Sequence, residues 1–279
     1  MKTAVFERPL FGDEIKVILY EMEHEDARKI VDAMYMEALR LQKIFNFFDP
    51  ESELSRLNQE RTLTVSKELL YLLKKALSMS EVTEGRYDVS LGKAILARKK
   101  GMAAEKPRCS YRDIKVTGNA VSLTNREAMI DLGSIAKGYI TDRLGEFLRS
   151  NRAAEFLLDS RGDILVSGQY SHILGIQDPR GEKQVCSIKI KDQAVATSGD
   201  YMQYRGDFQN SHILNQEDAI SVTVISKTLE EADLLATAVF VSKRPEAEKM
   251  MEMHPDSSAM VIRKNLRQEY YNDFRRNME

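Results

Sequence analysis

The chain has 279 residues, 43% of them apolar and 30% charged, with 41 Lys and Arg against 43 Asp and Glu. That apolar share supplies a sizeable core, and 14 Gly with 6 Pro exclude a collagenous or low-complexity polymer. A net charge of −2 sets up no field that would draw the molecule onto nucleic acid or an anionic membrane, so any anionic ligand has to be held locally.

Residues 14–20 alternate charged with β-branched or aromatic side chains, as a half-buried strand does. Over 24–45, Ile30, Met34, Ala38, Leu41 and Phe45 recur at three- and four-residue steps and draw one apolar stripe on a helix, which Asp49-Pro50 stops. Ser66 is placed to cap a second helix running to about Val82, with Glu68 in its first turn and Gly85 as its C-terminal stop. Short strands are expected over 108–123, broken at Thr117-Gly118-Asn119, followed by a buried strand at 128–132. Residues 134–150 read as a long amphipathic helix. Short strands then follow at 156–158, 164–167, 172–176, 185–190, 194–197 and 220–226. Thr228 with Glu231 forms a capping box that opens a helix through about Val241, and Pro245 sits at the start of another that ends near His254. Residues 258–263 and 268–272 close as a hairpin around Lys264-Asn265. Strands and helices intersperse without a βαβ rhythm, which predicts an α+β protein of mostly antiparallel sheets with flanking helices. No repeat or linker divides the chain.

Cys109 and Cys186 stand apart with no CxxC and no Cys/His cluster, so neither zinc nor a disulfide framework is expected. No apolar segment follows Lys2, and the apolar run around 234–241 is too short for a bilayer. The expectation is a cytoplasmic protein without membrane insertion.

Familiar catalytic signatures are missing: no GxGxxG after a strand, no GxSxG and no HExxH. The run GSIAKG at 133–138 lacks P-loop order, because its lysine precedes the second glycine and no Ser or Thr follows. What it offers is Asp131 at a strand end, a turn at Gly133-Ser134, and Lys137 in the first turns of a helix. Free amides, the positive dipole end and an ammonium together make an anion site, although a capped helix with a solvated lysine uses the same residues. Asp233 and Thr237, four apart on one helix, present a carboxylate and a hydroxyl on one face. Both are hard oxygen donors of the kind magnesium takes beside a diphosphate; a surface Asp and a core-edge Thr are the plainer reading of that spacing alone. Thr197-Ser198-Gly199-Asp200-Tyr201 reads as a turn or as a loop that lets a ligand approach the backbone. Of four histidines, His212 begins a β-like segment soon after that loop, while His24, His172 and His254 occupy positions that secondary structure explains.

Taken in order, GRYDVS (85–90), IDLGSIAKGYITDR (130–143), RGDILVSG (161–168), GIQDPR (175–180), AVATSGDY (194–201), SHI (211–213) and ADLLATAVF (232–240) resemble the ApbE family, the FAD:protein FMN transferases. DPESELSRLN (49–58) resembles that family's early helix-turn segment, so the resemblance spans about 11–241. It implies an ApbE-like, T-fold-like architecture with a central ligand cleft, one domain over 1–279 with room for two lobes. It also implies a magnesium-dependent enzyme that takes FAD, releases AMP and joins FMN through a phosphoester to a threonine of a partner protein. By this resemblance the metal is held by Asp233, Thr237 and the backbone carbonyl of Ser134, and Lys137 faces the diphosphate. Asp88 and Asp131 contact FAD, Tyr87 lies beside the flavin, and Phe11 and Phe48 are candidates to stack on its rings. His212 sits near the phosphoryl group with Ile213 beside it in the cofactor-binding set. His212 and Lys137 are the catalytic candidates, and His212 or an aspartate accepts the proton of the attacking hydroxyl.

Three places depart from the family's pattern. Phe11-Gly12-Asp13 stands where Met-Gly-Thr is usual, Arg161 replaces the first glycine of a Gly-Gly-Asp, and Leu214-Asn215-Gln216-Glu217-Asp218 follows SHI where Asp-Pro-x-Thr-Gly is usual. Two other readings use the same residues: a hydrolase that splits FAD to FMN and AMP with water, and a non-catalytic flavin or nucleotide binder. The oligomeric state stays open.

Overall fold

Alternating polar and apolar side chains set two strands together at the start of the chain. In the computed structural model, which describes residues 2–10, 12–100, 102, 107–201 and 214–279, β1 (Thr3–Leu10) and β2 (Asp13–Tyr20) pair antiparallel, Thr3 opposite Tyr20 and Leu10 opposite Asp13. β1 lacks a clean sequence signal because Arg8 stands in an inward slot and Pro9 breaks the run. At the sheet edge, where β1 lies, the missing proline amide is tolerated.

The helix α1 (His24–Phe45) buries Ala27, Val31, Met34, Ala38 and Leu41, the expected stripe, and ends at Asn46, just ahead of Asp49-Pro50. A short α2 (Glu53–Glu60), capped by Ser52 accepting from the Ser55 amide, and β3 (Thr62–Thr64) follow. The second expected helix is α3 (Lys67–Val82), with the Ser66 hydroxyl accepting from the Leu69 amide at 3.2 Å. Beyond it come α4 (Gly92–Lys99), β4 (Ile114–Thr117) and β5 (Ala120–Leu123).

The segment 128–132 is not a strand. Apart from an isolated parallel bridge between Leu91 and Met129, its backbone is held by other means. The Asn58 side chain grips Ile130 from both sides, donating to its carbonyl at 2.8 Å and accepting from its amide at 2.7 Å, while the Asp131 amide donates to the Val89 carbonyl. An apolar run can thus be extended and buried while a side-chain amide stands in for the neighbouring strand.

The helix α5 (Ala136–Ser150) begins two residues later than its apolar pattern suggests, because Gly133 to Ile135 form a turn. β6 (Phe156–Ser160), β7 (Asp163–Ser167), β8 (His172–Gln177), β9 (Gln184–Ile190), β10 (Ala194–Gly199) and β11 (Ala219–Ser226) lead to α6 (Leu229–Phe240). α7 (Arg244–Met253), β12 (Ser258–Arg263) and β13 (Gln268–Tyr271) close the fold. Only half of the expected capping box on α6 forms: Thr228 accepts from the Glu231 amide, but the Glu231 carboxylate is drawn away to His254 Nδ1 at 2.7 Å.

Among the described residues the strands make three sheets: an eight-stranded one in the order β1-β2-β6-β7-β10-β11-β12-β13, a three-stranded β3-β5-β4 and the hairpin β8-β9. All the strand pairings are antiparallel, as the α+β reading expects. One face of the large sheet packs on α1, α5 and α6 through Val17, Leu19, Leu144, Leu158, Leu235 and Val239. The other face packs Val166 and Val195 against Ile188 and Ile190 of the β8-β9 hairpin and against Phe274 near the C-terminus. β11 is therefore buried at every residue. Val222 and Val224 face the helices, while Ile220, of the same parity, turns to the hairpin side because the register shifts between Ala219 and Ser221.

Candidate active-site cavity between α5, α6 and the strand ends

Two helices cross where the sequence supplies a glycine. A Cβ on Gly138 would lie 2.3 Å from the Leu229 carbonyl oxygen, so only glycine lets α5 approach the start of α6 this closely. The approach is held by two carboxylates. Asp142 on α5 accepts from the amides of Leu229 and Glu230 at 2.9 and 2.8 Å, capping α6 from outside its own sequence, and Asp233 on α6 accepts from the Gly138 amide at 3.1 Å. The same crossing brings Lys137 beside Asp233.

Around that crossing the loops are fixed by short polar contacts. Asp131 accepts from the Gly133 amide at 2.8 Å and shapes the turn into α5, where Tyr87 and Ser134 share a hydroxyl–hydroxyl hydrogen bond of 2.8 Å. Asp88 accepts from both the amide and hydroxyl of Ser90 and from the Tyr111 amide at 3.0 Å. Thr237, one turn after Asp233, shares a 3.0 Å hydrogen bond with Ser198 at the end of β10. Lys137 forms an ion pair with Asp163, whose carboxylate also accepts from the Thr197 amide at 3.1 Å.

Phe48, Tyr87, Asp88, Asp131, Ser134, Lys137, Asp233 and Thr237 all line one cavity of about 300 Å³. Phe48 stands at its rim, 60% exposed. His212, Ile213 and Phe11 lie outside the described residues. Asp163 is a partner of Lys137 that sequence reading did not single out. Its signal was a carboxylate opening an otherwise apolar strand.

Burial dominates the electrostatics. It pushes the Asp233 carboxyl up to about 7, aided by the charges of Asp163 and Asp142 and resisted by Lys137 and the Gly138 amide. Burial likewise raises the carboxyls of Asp163 and Asp88 and the phenol of Tyr87. Burial works against the charge of Lys137, but Asp163 and Asp233 outweigh it and raise the ammonium above its ordinary value. Two buried carboxyls thus face one ammonium, so the cluster holds one more ionisable carboxyl than it has cations.

Among the described residues, no three His, Cys, Asp or Glu side chains gather as a metal site. A set built on Asp233, Thr237 and the Ser134 carbonyl is of a different kind, one carboxylate with neutral oxygens. It suits a hard cation that completes its shell with water and phosphate. Among the described residues, no helix is long and apolar enough to cross a membrane.

The ApbE family model matches residues 11–262. An FAD:protein FMN transferase of Vibrio cholerae is 26% identical over 244 residues, covering 76% of this chain and 73% of that protein. Another of that name, from Klebsiella pneumoniae, is 25% identical over 285 residues, covering 92% and 88%. Among solved structures, the flavin transferase ApbE of Vibrio cholerae superposes with a TM-score of 0.83 at 21% identity, covering 99% of each chain. The ApbE protein of Thermotoga maritima gives 0.82 at 22%, covering all of both. With the family model spanning most of its length and the same fold in both solved relatives, the chain belongs to the ApbE family.

Proposed function

We propose that the cavity binds FAD and that the protein transfers its FMN half to a threonine hydroxyl of a partner protein, releasing AMP. The observation that carries this reading is the convergence of Lys137, Asp233, Thr237 and Ser134 on one cavity whose rim and wall hold Phe48 and Tyr87. The names of the relatives support the same chemistry.

In this reading the threonine oxygen forms a bond to the phosphorus of the FMN half. The bond from that phosphorus to the bridging oxygen breaks, and AMP leaves with the bridging oxygen and its electron pair. The hydroxyl proton passes to His212 or to one of the cavity's aspartates. Lys137 orients the diphosphate and balances its charge; Asp163 keeps the ammonium protonated and aimed. Asp88 and Asp131 hold the backbone turns that shape the pocket, and Phe48 and Tyr87 supply the surfaces for an aromatic ring. A magnesium ion held by Asp233, Thr237 and the Ser134 carbonyl supplies, when bound, neutralisation of the diphosphate's charge.

Incubation with FAD and magnesium, with and without a threonine-bearing acceptor peptide, tests this. Peptide-bound FMN with AMP is the expected product. Free FMN with AMP in both arms makes the protein a hydrolase, and intact FAD makes it a binder. Asp233→Ala is expected to lower turnover at least about a hundredfold, the scale of losing one preorganised electrostatic group, while leaving the circular dichroism spectrum unchanged. Turnover surviving that substitution would remove Asp233 from the metal set.

A further inference from the structure

Two of the departures from the family's sequence pattern meet in space. Asp13, the first residue of β2, and Arg161, in the turn between β6 and β7, form an ion pair with Nε 2.6 Å from Oδ2. The pairing of β2 with β6 brings the two to the same end of the sheet. Arg161 has φ +59°, the left-handed region that glycine enters more freely than an arginine, although Arg61 and Arg152 adopt it too. The ion pair gives little in return. Its side chains are 49% and 44% exposed, and pairs so open to water add little to stability.

What the arrangement does achieve is the placement of a charge. Arg161 lines the same cavity as Ser160, Leu10, Glu14 and Lys137, and its charge is felt by Lys137. Asp13 pairs with the guanidinium on its Nε side, leaving to a ligand the terminal nitrogens, whose spacing matches that of two phosphate oxygens. A strained backbone at a cavity wall points to a use for the side chain it carries.

We infer that Arg161 is a substrate-binding residue, held at the cavity by its ion pair with Asp13, that grips a phosphate of the dinucleotide as a second cation beside Lys137. The inference rests on the reading of the cavity as a dinucleotide site. It deepens that reading by assigning the diphosphate a guanidinium that replaces a glycine of the family pattern. The start of β2, through Asp13, thereby becomes part of the phosphate-binding apparatus.

The test is equilibrium binding of FAD, ADP and riboflavin to the wild-type protein and to Arg161→Gly, Arg161→Lys and Asp13→Asn. Arg161→Gly relieves the backbone strain, so its thermal midpoint should equal or exceed that of the wild type, which keeps the comparison free of misfolding. FAD and ADP are expected to bind Arg161→Gly at least about tenfold more weakly, and riboflavin, which carries no phosphate, as before. Arg161→Lys should recover part of the loss, and Asp13→Asn should fall between wild type and Arg161→Gly. Unchanged FAD and ADP binding by Arg161→Gly, or an equal loss for riboflavin, overturns the inference. Arg161-dependent ADP binding by a protein that transfers no FMN leaves the inference standing and removes the transferase reading. FMN transfer by Arg161→Gly with an unchanged KM for FAD does the reverse.

Discussion

Lys137 illustrates how a residue's role is set by what faces it. Its side chain is half-buried, and Asp163 and Asp233 outweigh the burial that works against its charge. Removing it as Lys137→Met leaves Asp163 buried without its cation. The Asp163 carboxyl is already raised by burial, and without Lys137 it rises further. A carboxyl whose folded pKa lies above its unfolded value contributes stability at low pH and loses it as pH rises through the folded pKa. Lys137→Met is therefore expected to be destabilised relative to wild type more at pH 8 than at pH 5, read from denaturant midpoints at the two values. An equal deficit at both would mean that Asp163 finds another partner. The sequence made Lys137, Asp131, Asp233 and Thr237 legible because each sits at a recognisable place in a helix or turn. Asp163 was not, since nothing along the chain links it to Lys137; only the passage of β7 beneath α5 brings them together.

Helix ends carry the next level of organisation. The sequence announces the start of α6 through Thr228 and Glu231, yet the more extensive cap comes from Asp142 on another helix, which accepts from two α6 amides. Such a cap cannot be read locally, because its donors and acceptor are far apart in sequence. It also fixes the crossing at Gly138 that sets Lys137 beside Asp233, so it positions the site without lining it. Asp142→Ala is expected to cost about 2 kcal/mol, the upper range for losing a helix cap, and to weaken FAD binding through the displaced crossing. Asp142→Asn retains an oxygen acceptor and should lose less. Burial raises the Asp142 carboxyl to about 6, above its ordinary value, so its ionisation costs the folded state as pH climbs through that range. The stability of the wild type relative to Asp142→Asn should consequently fall between pH 4 and 7. Denaturation curves across that interval decide it, and a constant difference would show that the two amides compensate the charge in full.

Across the whole molecule, the absence of a βαβ rhythm was enough to foresee antiparallel sheets, but not their order. The neighbours β2-β6 and β7-β10 are set by long connections whose packing periodicity does not encode. That order has a functional consequence. The cavity draws its walls from the first hairpin, the end of α1, the turn before α5, the β6-β7 turn, β10 and α6, so a ligand there ties together parts of the chain that are remote in sequence. Because a ligand that binds only the folded state stabilises it in proportion to the logarithm of its concentration over Kd, FAD at a hundred times Kd should add about 2.7 kcal/mol. For a chain of this size that is a rise of several degrees in the thermal midpoint. On the proposed reading, magnesium with FAD should raise the midpoint beyond FAD alone, since Asp233 and the diphosphate would both bind the cation. The extra increment should vanish in Asp233→Ala while the FAD-only shift survives, because the ring surfaces of Phe48 and Tyr87 are untouched. Differential scanning fluorimetry on the two proteins, with riboflavin as the phosphate-free control, separates these contributions. A magnesium increment that persists in Asp233→Ala, or that appears equally with riboflavin, would place the cation away from α6 and break the link between the helix crossing and the reacting phosphate.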